Sequence, residues 1–148
     1  LPFVEELDSA PEPMMALWCV ADLPQPILFE SALRRQHVGR YSVLTADPFQ
    51  AETRQSVGYG VDPFEELRRS PARFQARTVP DLPPFQGGVA GLLGYELGGA
   101  WERLPRARSD EFELPVMAAG WYDWVLAWDH AAGRAWIVQP GIPGDSSR

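Results

Sequence analysis

The stretch PPFQGGVAGLLGYELGGAWERLP, Pro83 to Pro105, sets glycine at 87, 88, 91, 94, 98 and 99 among large apolar residues. Gly88, Gly91 and Gly94 fall three apart, a spacing that keeps to no one side of a strand and stacks loosely along a helix. A dinucleotide fingerprint needs glycines spaced two and then three, and a Walker loop needs a lysine. This chain has no lysine; all thirteen of its cationic side chains are arginine. Val89, Ala90, Leu92 and Leu93 between the glycines suit burial, whereas a phosphate cradle must expose backbone donors at a helix start. Close packing is the better reading, since a residue without Cβ lets another backbone approach or admits a bulge. The run is expected to form a central strand with tight neighbours that turns into a helix around Leu97 to Arg103.

The rest of the chain reads as short elements punctuated by proline and glycine. MMALWCVA, Met14 to Ala21, is continuously apolar and suits a strand buried on both faces. DLPQP breaks it, ILFESA resumes as a short strand, and RRQHVG reads as a polar loop. GRYSVLTADPF alternates Tyr41, Val43 and Thr45 against Ser42, Leu44 and Ala46, which predicts a strand ending at ADP. AETRQSVGYG is expected as an edge strand. VDPFEELRRS is a short helix with Asp62 as N-cap, Pro63 at its first position, glutamates in the first turn and arginines in the last. MAAGWYDWVLAWD and RAWIVQP read as a strand pair joined by a turn at HAAG. The sum is an α+β fold of mostly antiparallel sheets with a few short helices, in a single domain spanning 1-148.

Several function classes are excluded or disfavoured. Without lysine there is no Walker, Schiff-base or pyridoxal-phosphate lysine in this chain. A formal net charge of −7 argues against nucleic-acid binding. One cysteine, Cys19, excludes internal disulfides and multi-cysteine metal sites, and its apolar surroundings predict a small buried hydrophobe. No apolar run is long enough to span a membrane, and the acidic, proline-containing start lacks the basic opening of a signal peptide, so a cytoplasmic protein is expected. HExxH and GxSxG are absent. Glu96, Glu102, Asp123 and Asp129 stand in apolar contexts, where a carboxylate is either matched by arginine or functional, yet no two form a recognisable acid/base pair. Trp121, Trp124, Trp128 and Trp136 crowd the last third, which marks core or interface.

Taken together, four elements resemble the N-terminal region of the component I family of chorismate-utilising synthases, aminodeoxychorismate synthase and anthranilate synthase. ILFESA resembles the family's LLES element and GRYSVLTADP its GRYSFLGxxP element. PFQGGVAGLLGYEL, with ERLP shortly after, resembles PFxGGxxGxxxYE/D. YDWVLAWDHAAGRAWIV resembles its YD and DH hairpin. The resemblance runs from about Met14 to Val138, and the YDW and DH wording leans to the aminodeoxychorismate branch. It implies a non-catalytic N-terminal domain supporting chorismate amination in folate biosynthesis. In this reading the chain is severed from its C-terminal chorismate-binding domain, which carries the catalytic groups and Mg2+, so it holds no cofactor and is inactive alone. Implied partners are that domain and a glutamine amidotransferase subunit, with self-association of the separated piece. A tryptophan-type pocket is also implied, walled here by Phe29, Glu30, Ser31, Arg40, Tyr41 and Ser42. The alternatives are the regulatory N-terminal domain of an anthranilate synthase and a free-standing module for aromatic ligands or proteins.

Overall fold

A computed structural model describes residues 2–33, 38–69, 78–105 and 109–141. Among these residues eight strands form two antiparallel sheets, with two short α-helices and one 3-10 stretch. The strands are β1 (Phe3–Glu6), β2 (Ile27–Phe29), β3 (Tyr41–Thr45), β4 (Gln50–Arg54), β5 (Gly88–Leu93), β6 (Met117–Tyr122), β7 (Val125–Asp129) and β8 (Arg134–Gln139). One sheet runs β1-β8-β7-β3-β2 and the other β4-β6-β5. The fold is therefore α+β with antiparallel pairing, as the sequence predicts.

The core of the larger sheet follows from alternation. Leu44, Leu126, Trp128 and Ala135 turn to one face and pack with Ala16 of helix α1 (Pro13–Cys19). Val43, Val125 and Ala127 turn to the other, against Phe85. Each fully buried apolar side chain contributes about 1.5–3 kcal/mol relative to exposure. Trp121, Trp128 and Trp136 are buried, as their crowding suggests. Near the smaller sheet, Leu97, Val116 and Met117 gather Val57, Phe64 and Leu67. There helix α2 (Glu65–Arg69) begins two residues after Pro63, the expected first position, and the Asp62 carboxylate accepts from the Phe64 N–H at 2.9 Å in the turn ahead of it.

The structure corrects several expectations. MMALWCVA is not a strand: Pro13 opens α1 and only Pro13 and Ala16 of the helix are buried. Met14, Met15 and Trp18 face outward, so the run is apolar all round for two different reasons. Cys19 is exposed rather than buried. MAAGWYDWVLAWD is not one strand. It leaves the small sheet at Tyr122 and enters the large one at Val125, so only β7 pairs with β8. The Thr45 hydroxyl donates to the Trp124 carbonyl at 2.7 Å and the Tyr122 hydroxyl to the Gln25 carbonyl at 2.9 Å, which pins that corner. The glycine run gives an edge strand, with β6 at the centre of its sheet, in which Ala90 is buried but Val89, Leu92 and Leu93 are exposed rather than buried, followed by a 3-10 stretch at Tyr95–Ala100. Finally, Glu96 and Glu102 are exposed to solvent rather than set among apolar neighbours.

The tight packing expected of the glycines is found at Gly91, where a Cβ would lie 2.0 Å from the Ala118 carbonyl oxygen. Ahead of β5, buried Gln86 ties the chain down. Its Oε1 accepts from the Val79 N–H at 2.8 Å, and its Nε2 donates to the carbonyls of Val79 and Pro83 at 2.9 and 3.2 Å.

Candidate functional site

The antiparallel pair β2–β3 sets Phe29 against Val43 and Leu28 against Leu44. Glu30 and Ser31 leave β2 as Arg40 and Tyr41 enter β3, so both ends of the intervening loop come together. Gly39 permits the return: its φ is +69°, and a Cβ there would sit 2.2 Å from the Leu33 carbonyl oxygen. Phe29, Glu30, Ser31, Arg40 and Tyr41 thereby line one open hollow of ≈ 720 Å³. Ser42 does not line it. Alternation along β3 turns Ser42 away from Tyr41, and its buried Oγ lies 2.7 Å from His130 Nε2. His37, in the same loop, lies outside the described residues.

Arg40 closes one end of the hollow. Its guanidinium lies 4.9 Å from the Tyr41 ring centroid. It also grips Asp129 at two points, with Nη2 donating to Oδ2 at 2.6 Å and Nε to Oδ1 at 3.1 Å. The hydrogen bond from Arg40 holds the Asp129 carboxyl below the usual carboxylate range despite burial, and the Ala132 and Ala131 N–H groups reinforce this. The pairing raises Arg40 in turn. Arg40 thus brings no unmatched charge to the hollow. What it presents is a flat cation held beside an aromatic ring.

Asp129 and His130 are the residues that sequence reasoning left unassigned at this site. Three links join them to β3 and the residue just before it: the Asp129–Arg40 pair, the His130–Ser42 contact, and a hydrogen bond from the His130 N–H to the Arg40 carbonyl at 2.8 Å. The signal in the sequence is the DH at the end of β7, where Asp129 is a carboxylate either matched by arginine or functional. Its partner emerges only from the register, which sets Tyr41 opposite Asp129. Asp123, the other marked aspartate, is half-buried at the corner between the sheets. A second hollow, of ≈ 510 Å³, lies on the far side of Arg40 between Leu7–Pro13 and the β7–β8 turn.

The glycine run contributes no anion cradle, since Gly88–Leu93 is a paired strand rather than a loop opening a helix. Among the described residues no three histidine, cysteine, aspartate or glutamate side chains gather as metal ligands. No helix among them is long and apolar enough to cross a membrane.

No family model matches the chain. Among curated proteins it is 36% identical over 124 residues to aminodeoxychorismate synthase component 1 of Salmonella typhimurium, covering 75% of this chain and 27% of that protein. The Escherichia coli protein of the same name is 32% identical over the same shares. Anthranilate synthase component 1 of Streptomyces coelicolor is 37% identical over 138 residues, covering 90% of this chain and 25% of that protein. The chain therefore spans about a quarter of the length of the curated relatives it matches.

Proposed function

Because the chain belongs to the family of aminodeoxychorismate synthase component 1 and anthranilate synthase component 1, we propose that it serves as the N-terminal, non-catalytic part of an aminodeoxychorismate synthase. In that role it supports the amination of chorismate and supplies one wall of a pocket for an aromatic amino acid. The observation that carries the reading is the meeting of Phe29, Glu30, Ser31, Arg40 and Tyr41 around one hollow. Phe29 and Tyr41 offer aromatic surface to an indole-sized ring, and Ser31 and Glu30 offer polar atoms to its amino end. The hollow is open on one side, which suits a wall completed by another part of a longer enzyme.

That longer enzyme would hold the chorismate and Mg2+ chemistry elsewhere and take ammonia from a glutamine amidotransferase. No step of it is assigned to a side chain of this chain. The apolar side chains Met14, Met15 and Trp18 on the outer face of α1 supply area for packing against it. The anthranilate branch is the second reading, favoured by the Streptomyces match, which covers more of the chain. The YDW and DH wording weighs for the aminodeoxychorismate branch.

The test is a replacement. The corresponding region of the E. coli relative is exchanged for this chain, and growth without para-aminobenzoate is scored in a strain lacking that relative. Growth supports the reading. A soluble exchange protein that fails to restore growth overturns it. Micromolar binding of L-tryptophan by this chain alone, measured by calorimetry, favours a self-sufficient ligand-binding module instead.

A further inference from the structure

The described residues leave four strand edges: β1 and β2 on the larger sheet, β4 and β5 on the smaller. Three carry features that discourage a further strand. β1 ends in Glu5 and Glu6. β2 has three residues between Pro26 and Glu30. β4 has Glu52 at its midpoint and Arg54 at its end. Charge, proline and brevity are the devices by which edges avoid pairing with another chain.

β5 has none of them. GVAGLL is six residues long with no charge and no proline. Val89, Leu92 and Leu93 are 42%, 45% and 56% exposed, and Gly88 and Gly91 are exposed as well. Its strand partner among the described residues is β6, on one side only.

We propose that the open edge of β5 pairs antiparallel with β5 of a second copy of this chain, about a two-fold axis at Gly91. The side chains decide the occupant. A two-fold axis perpendicular to the sheet sets residues on the same face opposite one another. Centred on Gly91, it places Val89 against Leu93 twice and brings the two glycine backbones together at the middle. The paired segment 88–93 carries no charge, and the nearest acidic residue, Glu96, stands outside it in the 3-10 stretch, so no like charges meet across the ladder. The same operation on β4 would set Glu52 against Glu52. β5 is thus self-complementary in size and charge where the other edge of its sheet opposes itself. This pairing surface is independent of the hollow and of the outer face of α1.

The experiment is analytical ultracentrifugation of the whole chain over a concentration series, with hydrogen exchange read at both ends of the series. The expected result is a monomer–dimer equilibrium that added salt strengthens, because each copy is acidic. The amides of 88–93 that do not already bond to β6 should become protected in the dimer. Leu93→Lys and, separately, Val89→Lys should weaken dimerisation about tenfold, the loss of two apolar cross-strand pairs. Met15→Lys on α1 should leave it unchanged. A monomer throughout the series overturns the proposal. So does a dimer that ignores both β5 lysines, or one that Met15→Lys dissolves as effectively. If a lysine variant fails to fold by circular dichroism, the exchange pattern of the unmodified chain decides: new protection elsewhere than 88–93 overturns the proposal.

Discussion

Arg40 and Asp129 stand 89 positions apart in the chain and meet in a two-point ion pair that clamps the end of β7 to the start of β3. The half-exposed guanidinium keeps its hydration while the carboxylate is buried, so the aspartate is the partner that depends on the pair.

Asp129→Asn should lower stability at neutral pH by about 1–2 kcal/mol through the loss of charge-assisted hydrogen bonds. It should also change the acid limb. The folded-state pKa of Asp129 is depressed, so the unfolded chain takes up this proton first as pH falls. The stabilisation is fully present above the unfolded value of about 3.9 and is lost as pH falls through the lower folded value. Melting temperatures measured from about pH 6 to pH 3 should therefore fall less in Asp129→Asn than in the unmodified chain. Parallel pH profiles would show that the pair contributes no linkage.

Gly91→Ala should cost about 3 kcal/mol, because the new methyl meets backbone rather than a yielding side chain. The Ala118 oxygen would lie at 2.0 Å and the Ala119 Cα at 2.8 Å, so β5 and β6 must part. Urea unfolding checks this at concentrations low enough to keep the chain monomeric. A loss below about 0.5 kcal/mol, the range of ordinary surface substitutions, would mean that the strands yield freely.

Gln86→Glu should destabilise more than Gln86→Ala. The amide nitrogen of Gln86 donates to two carbonyls, and a carboxylate would turn an acceptor toward them. Alanine leaves the Val79 groups and the Pro83 carbonyl without this partner, at about 2–4 kcal/mol for the set. Unfolding free energies rank the variants, and exchange of the Val79 amide should quicken in both. The reverse order would remove Gln86 as the tie ahead of β5.

Cys19 should react with a bulky aromatic disulfide reagent in the native state, at full stoichiometry and at a rate close to that in denaturant. A thiol silent until unfolding would restore the buried reading that its apolar neighbours suggested.

What was legible in the sequence was what local chemistry decides. Asp62 and Pro63 mark the start of α2, and alternation with a terminal ADP marks β3. HAAG marks the turn between β7 and β8. What was not legible is set by partners far along the chain. Met14 to Cys19 is apolar on both its packed and outward sides, so hydrophobicity carried no period from which to choose helix over strand. The break at Asp123–Trp124 has no glycine or proline, since the corner is held by Thr45 and Tyr122 through tertiary hydrogen bonds. Five of the six residues that the family resemblance grouped share one hollow, because the strands on either side of the loop are paired. Ser42 came with them as part of the GRYS element, but alternation along β3 turns it to the opposite face from Tyr41.

The pairing of β1 with β8, which sets Phe3 against Gln139, has a consequence for how the protein is made. On the ribosome the first strand emerges long before its partner, and at roughly 5–20 residues per second the wait is on the order of ten seconds. Throughout that interval Phe3 and Val4 have no strand to lie against, while β2 and β3 already have each other. The larger sheet must therefore close from its middle outward, and its earliest-made strand is the last to find its place.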